Sequence, residues 1–275
     1  MLSGSIPEEL GNLTALRELY CFDNRLNGEL SPKLCGMINL QYLGLNGNQL
    51  TGSIPPEFGR MRKLRTLFLH ENSLVGSIPH EICGLIDLKK LSFRGNRLIG
   101  DIPSSIGSLS SLQALALSEN QLSGSIPSEI TRLEFLEALS LANNRLMGPL
   151  PSGLSRMTSL RSLDITKNQI SGKFPIELCS MARLHDLLMG DNCIEGAIPH
   201  EIGKLDQLCN LELAGNKLRG SIPTIEIARM KSLRSLDISR NYLMHADAAQ
   251  KHLEERLGGC FVNIDSGQRP KAQDD

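Results

Sequence analysis

Written in rows of 24, the chain sorts its apolar residues into columns. One column holds Leu16, Leu40, Leu64, Leu88, Leu112, Leu136, Leu160, Leu184, Leu208 and Leu233. A second, three residues on, holds Leu19, Leu43, Leu67, Leu91, Leu115, Leu139, Leu163, Leu187, Leu211 and Leu236. The third is looser: Cys21, Leu45, Leu69, Phe93, Leu117, Leu141, Ile165, Met189, Leu213 and Ile238. Two residues apart, the second and third columns share one face of a short extended strand, and the residues between them face the other way. A fixed period of this length marks a stacked-repeat architecture, in which each turn touches only its neighbours. The pattern predicts ten strands centred on Leu19 through Leu236. They should lie side by side in one parallel sheet whose inner face the rest of each turn covers.

A polar column interrupts the apolar ones: Asn24, Asn48, Asn72, Asn96, Asn120, Asn144, Asn168, Asn192 and Asn216, with Asn241 one residue late. An amide kept inside a leucine-rich turn must find hydrogen-bond partners, and the nearest are backbone groups of adjacent turns. These residues are expected to stack as a ladder. Four residues after each asparagine comes a glycine, from Gly28 to Gly220, with Gly4 before them. Three further on comes a proline (Pro7, Pro55, Pro79, Pro103, Pro127, Pro151, Pro175, Pro199, Pro223), with Ser31-Pro32 the exception. Glycine permits a sharp bend or positive φ. Proline suits the first turn of a helix, and the carboxylates that follow it (Glu9, Glu57, Glu81, Glu129, Glu177, Glu201) complement a helix start. Apolar pairs such as Leu10/Leu13, Phe58/Met61 and Ile106/Leu109 close the convex side.

The motif L-x-x-L-x-x-L-x-L-x-x-N-x-L-x-G-x-I-P closely resembles the plant-type leucine-rich repeat of receptor-like kinases, receptor-like proteins and polygalacturonase inhibitors. The resemblance covers residues 1–245 and implies an α/β repeat fold: a curved leucine-rich repeat solenoid. Its parallel β-sheet lies on the concave face, with short helical or 3-10 segments and a G-x-I-P turn on the convex side. The paired capping cysteines typical of plant ectodomains are missing, and residues 1–245 carry no N-terminal cap of their own. Beyond the repeat, Ala246–Leu257 reads as an amphipathic helix ended by Gly258-Gly259, and Cys260–Ile264 alternates as a last strand. Residues 246–264 should therefore close the stack, and 265–275 form a disordered polar tail.

A net charge of -1 supplies no field to draw in nucleic acid or an anionic membrane. No apolar run approaches the roughly 20 residues of a membrane span, so no direct membrane insertion is expected. The seven cysteines do not pair by spacing. Cys35 and Cys83, in one column, are two turns apart, about 10 Å at the inter-strand spacing and too far for a disulfide. Free thiols and the lack of a signal sequence favour a cytoplasmic location. An extracellular or plasma-membrane location follows instead if the chain is the remainder of a longer one. One sequon, Asn12-Leu13-Thr14, offers a possible glycosylation site. No phosphate-binding, hydrolase or zinc-protease motif is present. His80 and His200 share a column but stand five turns apart, too far for one metal. Neither a catalytic residue, a metal site nor a cofactor is expected.

What remains is the outward face of the sheet. Its first turns carry Glu18-Tyr20-Phe22-Asp23, Tyr42-Gly44-Asn46-Gly47, Thr66-Phe68-His70-Glu71 and Lys90-Ser92-Arg94-Gly95. Tyr20, Phe22, Tyr42 and Phe68 are four of only ten Tyr and Phe residues in a chain without Trp. Aromatic and Arg side chains are the usual anchors of interfaces. Tyr20, Phe22, Tyr42, Phe68, His70 and Arg94 are therefore the candidate partner-binding residues. The middle turns are small and neutral, and the later ones acidic through Asp164, Asp186, Asp191, Glu212 and Asp237. A basic column at the strand entry (Arg17, Arg65, Lys89) reads as solvated surface, since no aromatics interleave it. The sequence points to a non-enzymatic, monomeric scaffold that binds a protein or peptide. The family resemblance adds two alternatives: the ligand-binding piece of a receptor, or an inhibitor of a secreted glycan-degrading enzyme.

Overall fold

The structure is a computed structural model that describes residues 1–264; the tail expected at 265–275 lies outside the described residues. The chain divides into two compact units, Met1–Leu146 and Met147–Asp275. This boundary falls inside the stretch that the period treats as one stack. The turn that follows it is irregular: Gly153 is left-handed (φ 87) and the convex segment shortens to Leu154–Arg156.

In the first unit, strands Glu18–Tyr20, Tyr42–Gly44, Thr66–Phe68, Lys90–Ser92, Ala114–Ala116 and Ala138–Ser140 pair in parallel. The leucines are in register, Leu19 opposite Leu43, Leu43 opposite Leu67, and on to Leu115 opposite Leu139. In the second unit, Ser162–Asp164, Asp186–Leu188, Asn210–Glu212 and Ser235–Asp237 continue the pattern, and Leu236 pairs with Val262 of a last strand, Phe261–Asn263. From Leu40 onward the inner columns are almost wholly buried, whereas Leu10, Leu16, Leu19 and Cys21 of the first turn are half-buried.

The sequence pattern did not disclose a second set of strands. Arg25–Glu29 and Gln49–Thr51 pair in parallel behind the main sheet, as do Arg97–Asp101 and Gln121–Ser123, and, in the second unit, Gln169–Lys173 and Cys193–Gly196. Their partners are offset by 22 residues rather than 24, so Gly28 faces Leu50 and Gly100 faces Leu122. An even offset preserves the inward direction of alternate side chains. The glycines here adopt positive φ, from 69° at Gly124 to 88° at Gly220, as the bend requires.

The convex segments before α1 are 3-10 turns; Pro7, Pro55, Pro79, Pro103, Pro127, Pro175 and Pro199 each stand one residue before their turn, whereas Pro32 and Pro56 open one. Pro55 is extended (ψ 128) and its carbonyl accepts from Phe58 N at 3.1 Å; Phe58 O then accepts from Met61 N at 3.0 Å. The late Asn241 has a local cause. Between Pro223 and Ile227 one extra residue is absorbed by widening the turn into a short helix, α1 (Thr224–Ile227), with Ile227 N bonded to Pro223 O at 3.0 Å. In other turns the buried apolar residue lies three positions after the proline, as Ile202 after Pro199 and Phe58 after Pro55, and the bond closes i to i+3. The second helix, α2 (Ala246–Arg256), buries Ala246, Ala249 and Leu253 and packs against the last strand.

Candidate functional site

The asparagines hold the strand exits in place. Asn120 donates from Nδ2 to the carbonyls of Phe93 (2.9 Å), Leu117 (3.1 Å) and Ser118 (3.1 Å), and its Oδ1 accepts from Leu98 N at 3.0 Å. Asn48, Asn72, Asn96, Asn192, Asn216 and Asn241 repeat the set. Asn96, Asn120, Asn192, Asn216 and Asn241 are buried; Asn24, Asn48, Asn72, Asn144 and Asn168 are half-buried, so full burial of the whole column does not hold.

Just before every asparagine the backbone is left-handed: Asp23, Gly47, Glu71, Gly95, Glu119, Asn143, Lys167, Asp191, Gly215 and Arg240 all have φ between 52° and 67°. Such a conformation strains a non-glycine residue by about 1–2 kcal/mol, and three turns use glycine. At Gly47 and Gly215 a neighbouring side chain occupies the space a Cβ would need. The Asp23 carboxylate lies over Gly47, and Asp191 and Arg240 meet over Gly215, with Arg240 Nη2 2.8 Å from Asp191 Oδ1.

On the outward face of the first unit the structure brings the candidate aromatics into one contact chain. Tyr20 and Tyr42 have ring centroids 4.3 Å apart with planes tilted by 32°. Phe22 meets Tyr20 edge-on at 6.3 Å, Phe68 meets Tyr42 edge-on at 5.9 Å, and His70 meets Phe68 at 5.5 Å. The three edge-on separations lie in the favourable range for aromatic pairs, and the tilted Tyr20–Tyr42 pair is closer still. Tyr20 and Phe22 remain 53% and 44% exposed, so the chain of rings is a surface and not a core. The Tyr20 hydroxyl donates to Glu18 Oε2 at 3.0 Å, and that bond holds the phenol above its ordinary pKa.

Gly44 positions Tyr42, a role that the sequence reading passed over. A Cβ on Gly44 would sit 2.8 Å from Tyr42 Cε1, so the ring lies flat along its own strand only because residue 44 has no side chain. His70 is partly buried beneath this end of the patch; its Nδ1 is buried without a partner, and burial pushes the imidazole below its ordinary pKa. Arg94, the sixth candidate, is already engaged. Its Nε and Nη2 reach Glu119 Oε1 at 3.0 and 2.9 Å, and Nη1 reaches Glu71 Oε1 at 3.4 Å. It forms the border of the ring cluster rather than part of it.

The outward side of the second unit's sheet carries hydrogen-bonded carboxylates. Asp164 Oδ1 accepts from Thr166 Oγ1 at 2.8 Å, Asp186 Oδ1 from Asn210 Nδ2 at 2.6 Å, and Asp237 Oδ1 from Ser239 Oγ at 2.7 Å. Burial, followed by the charges of Asp237, Asp164 and Asp191, raises the Glu212 carboxyl. Among the described residues no group of three or more His, Cys, Asp or Glu could hold a metal, and no helix is long and apolar enough to cross a membrane. The sequon residue Asn12 is exposed at the end of the Glu8–Asn12 turn. All seven cysteines are free, and burial pushes the Cys179 thiol up to about 12.

Leucines in register, an asparagine at each strand exit and a Gly-x-Ile-Pro half-turn together define a plant-type leucine-rich repeat protein. The family models agree: a leucine-rich repeat region matches residues 80–190 and a leucine rich repeat matches 38–98. The chain belongs to that family. Among solved structures it is similar to the plant peptide hormone receptor RGFR1 in complex with RGF2, at 36% identity and a TM-score of 0.76 over 88% of this chain and 42% of that one. The Arabidopsis receptor kinase HAESA, in complex with the peptide hormone IDA and the co-receptor SERK1, is also 36% identical, with a TM-score of 0.85 over 88% of this chain and 41% of that one. A plant ice-binding protein is 27% identical, with a TM-score of 0.76, and there the cover is 97% and 81%. The chain thus spans less than half the length of the two receptors. No curated protein sequence matches it.

Proposed function

We propose that the chain is a non-enzymatic recognition scaffold that binds an extended peptide or protein segment on the outward face of the first unit's sheet. Tyr20, Phe22, Tyr42, Phe68 and His70 make the docking surface, and Arg94 its border. One observation carries the reading: rings from three consecutive turns touch in an unbroken series while Tyr20 and Phe22 stay exposed. Large, rigid side chains that already touch one another lose little freedom on binding and exclude water around an anchor. RGFR1 and HAESA, both solved with peptide hormones, support a peptide as the partner. They also favour the narrower reading that the chain is the ligand-binding part of a receptor.

The test is selection of peptides from a random display library on the purified chain, followed by affinity measurement on the Tyr20→Ala, Tyr42→Ala, Phe68→Ala triple variant. Binding should fall by at least about 100-fold, since each anchor contributes on the order of 1–3 kcal/mol. Selected peptides that bind the triple variant as well as the parent would refute the assignment.

A further inference from the structure

We infer that this docking face is selective for a cationic segment, with an arginine or lysine side chain of the ligand held over Tyr20 and Phe22 beside Asp23 and Glu18. The inference rests on the docking surface just proposed and adds the chemistry of its occupant.

Charge on the face is segregated. Cations of the first turns stand at the strand entry, where Arg17 and Lys63 line a depression of about 340 Å³ with Ala15, Asn39 and Gln41. Apart from Glu18, which opens the first strand, carboxylates stand at the strand exit, because the left-handed residue before each asparagine is Asp23, Glu71 or Glu119 wherever it is not glycine in the first five turns. Arg94 would offset them, but Glu71 and Glu119 already hold its guanidinium, leaving it little to offer a ligand anion. Lys90 lies on the fourth strand, beyond the rings. Burial lowers the His70 pKa and so disfavours its charged form.

Glu18 and Asp23 therefore flank the two most exposed rings, and neither forms an ion pair among the described residues. Arg25, two residues past Asp23, belongs to the second-sheet strand Arg25–Glu29 and makes no ion pair with it. The Asp23 carboxylate is propped over Gly47, on the side of the face that holds His70. A cation above a tyrosine ring is attracted by the negative face of the π system, and an adjacent carboxylate adds to that attraction. The second unit already shows the geometry internally, with the Arg219 guanidinium 5.4 Å from the Tyr242 ring centroid. An anionic ligand would instead meet uncompensated carboxylates, which costs affinity and specificity together.

The protein reports on its own site. It has no Trp and only three Tyr, of which Tyr20 and Tyr42 lie in the patch. In a Tyr242→Phe background, tyrosine emission can be titrated with three blocked pentapeptides, acetyl-Gly-Phe-Xaa-Phe-Gly-amide, in which Xaa is Arg, Gln or Glu. The Arg peptide should bind about tenfold more tightly than the Glu peptide, with Gln between, and added salt should narrow the gap. Adding Glu18→Gln and Asp23→Asn, the latter a residue that tolerates left-handed backbone, should bring the Arg and Gln peptides within about twofold of each other. Equal binding of all three peptides by the parent would overturn the cationic preference and leave the docking surface standing. Absence of any response up to millimolar peptide, or unchanged binding in a Phe22→Ala, Phe68→Ala variant that keeps both reporter tyrosines, would overturn the docking surface as well.

Discussion

The two units build the same strand on the same leucine register and finish its outward face in opposite ways. In the first, Tyr20, Tyr42 and Phe68 occupy adjacent turns and meet one another by ring contact, with the Tyr20 hydroxyl also bonded to Glu18. In the second, Asp164, Asp186 and Asp237 find hydroxyl or amide donors within the face. Phe261, 61% exposed, is the aromatic exception on that sheet. The contrast shows how a repeat protein separates stability from recognition. Inward columns are held by burial and must recur, while outward columns are free to be sticky in one place and internally satisfied in another. A surface whose polar groups already have partners offers a newcomer less than one made of exposed rings.

The sharpest way to break this comparison is to swap the losses. The Tyr20→Ala, Tyr42→Ala, Phe68→Ala variant should lose at least about 100-fold in affinity for a selected peptide, whereas Asp186→Asn with Glu212→Gln should change it by no more than about threefold. Equal losses from both, measured by calorimetry, would mean the faces do not differ in function. Next comes stability. Asn120→Ala strands the Leu98 amide inside the stack and removes one of the two amide donors to the Phe93 carbonyl, and should cost about 1–3 kcal/mol in chemical denaturation. Asn24→Ala should cost less, since that residue is only half-buried and its groups can reach water.

Gly44→Val offers a finer cut. It displaces Tyr42 from its place along the strand, so peptide affinity should drop roughly tenfold while the melting temperature moves little. A melting temperature that falls with unchanged affinity would show that the glycine serves packing alone.

The smallest effects concern pH, and here the units should respond in opposite directions. The folded state holds His70 below its ordinary 6.5, chiefly by burial and secondarily by Arg94, against the pull of Glu71 and Asp23. Its contribution to stability is present above 6.5 and is lost as pH falls through the lowered value. His70→Gln should flatten that acid slope. Glu212 is raised above 4.5, by burial first and then by Asp237, Asp164 and Asp191, with Arg240 opposing. Its contribution is present below 4.5 and is lost as pH rises through the raised value, so Glu212→Gln should stabilise at pH 7 and make no difference near pH 4. Both groups are partly solvated, and the shifts in melting temperature should be small.

Much of the architecture was legible. The strand centres, the glycine bends and the helix after residue 245 follow from periodicity and from local rules for glycine and amphipathic segments. The candidate rings were legible too, because the period assigns every residue a face. The second sheet was not: its 22-residue offset and its glycines leave no alternating apolar run to detect. The place of most repeat prolines, one residue before the 3-10 turn, also escaped, because proline suits both positions sterically.

By itself, then, the sequence determined the inward columns that must recur. A buried leucine meets the same leucine in the next turn, so selection for packing writes the inward columns at a constant spacing. Only the tertiary structure decided how outward side chains meet their neighbours along and across the turns: that Tyr42 lies across Gly44, that Arg94 is spent on Glu71 and Glu119, and that Asp23 covers Gly47. These contacts depend on rotamers and on a left-handed residue before each asparagine, and both are set only once the turns are stacked.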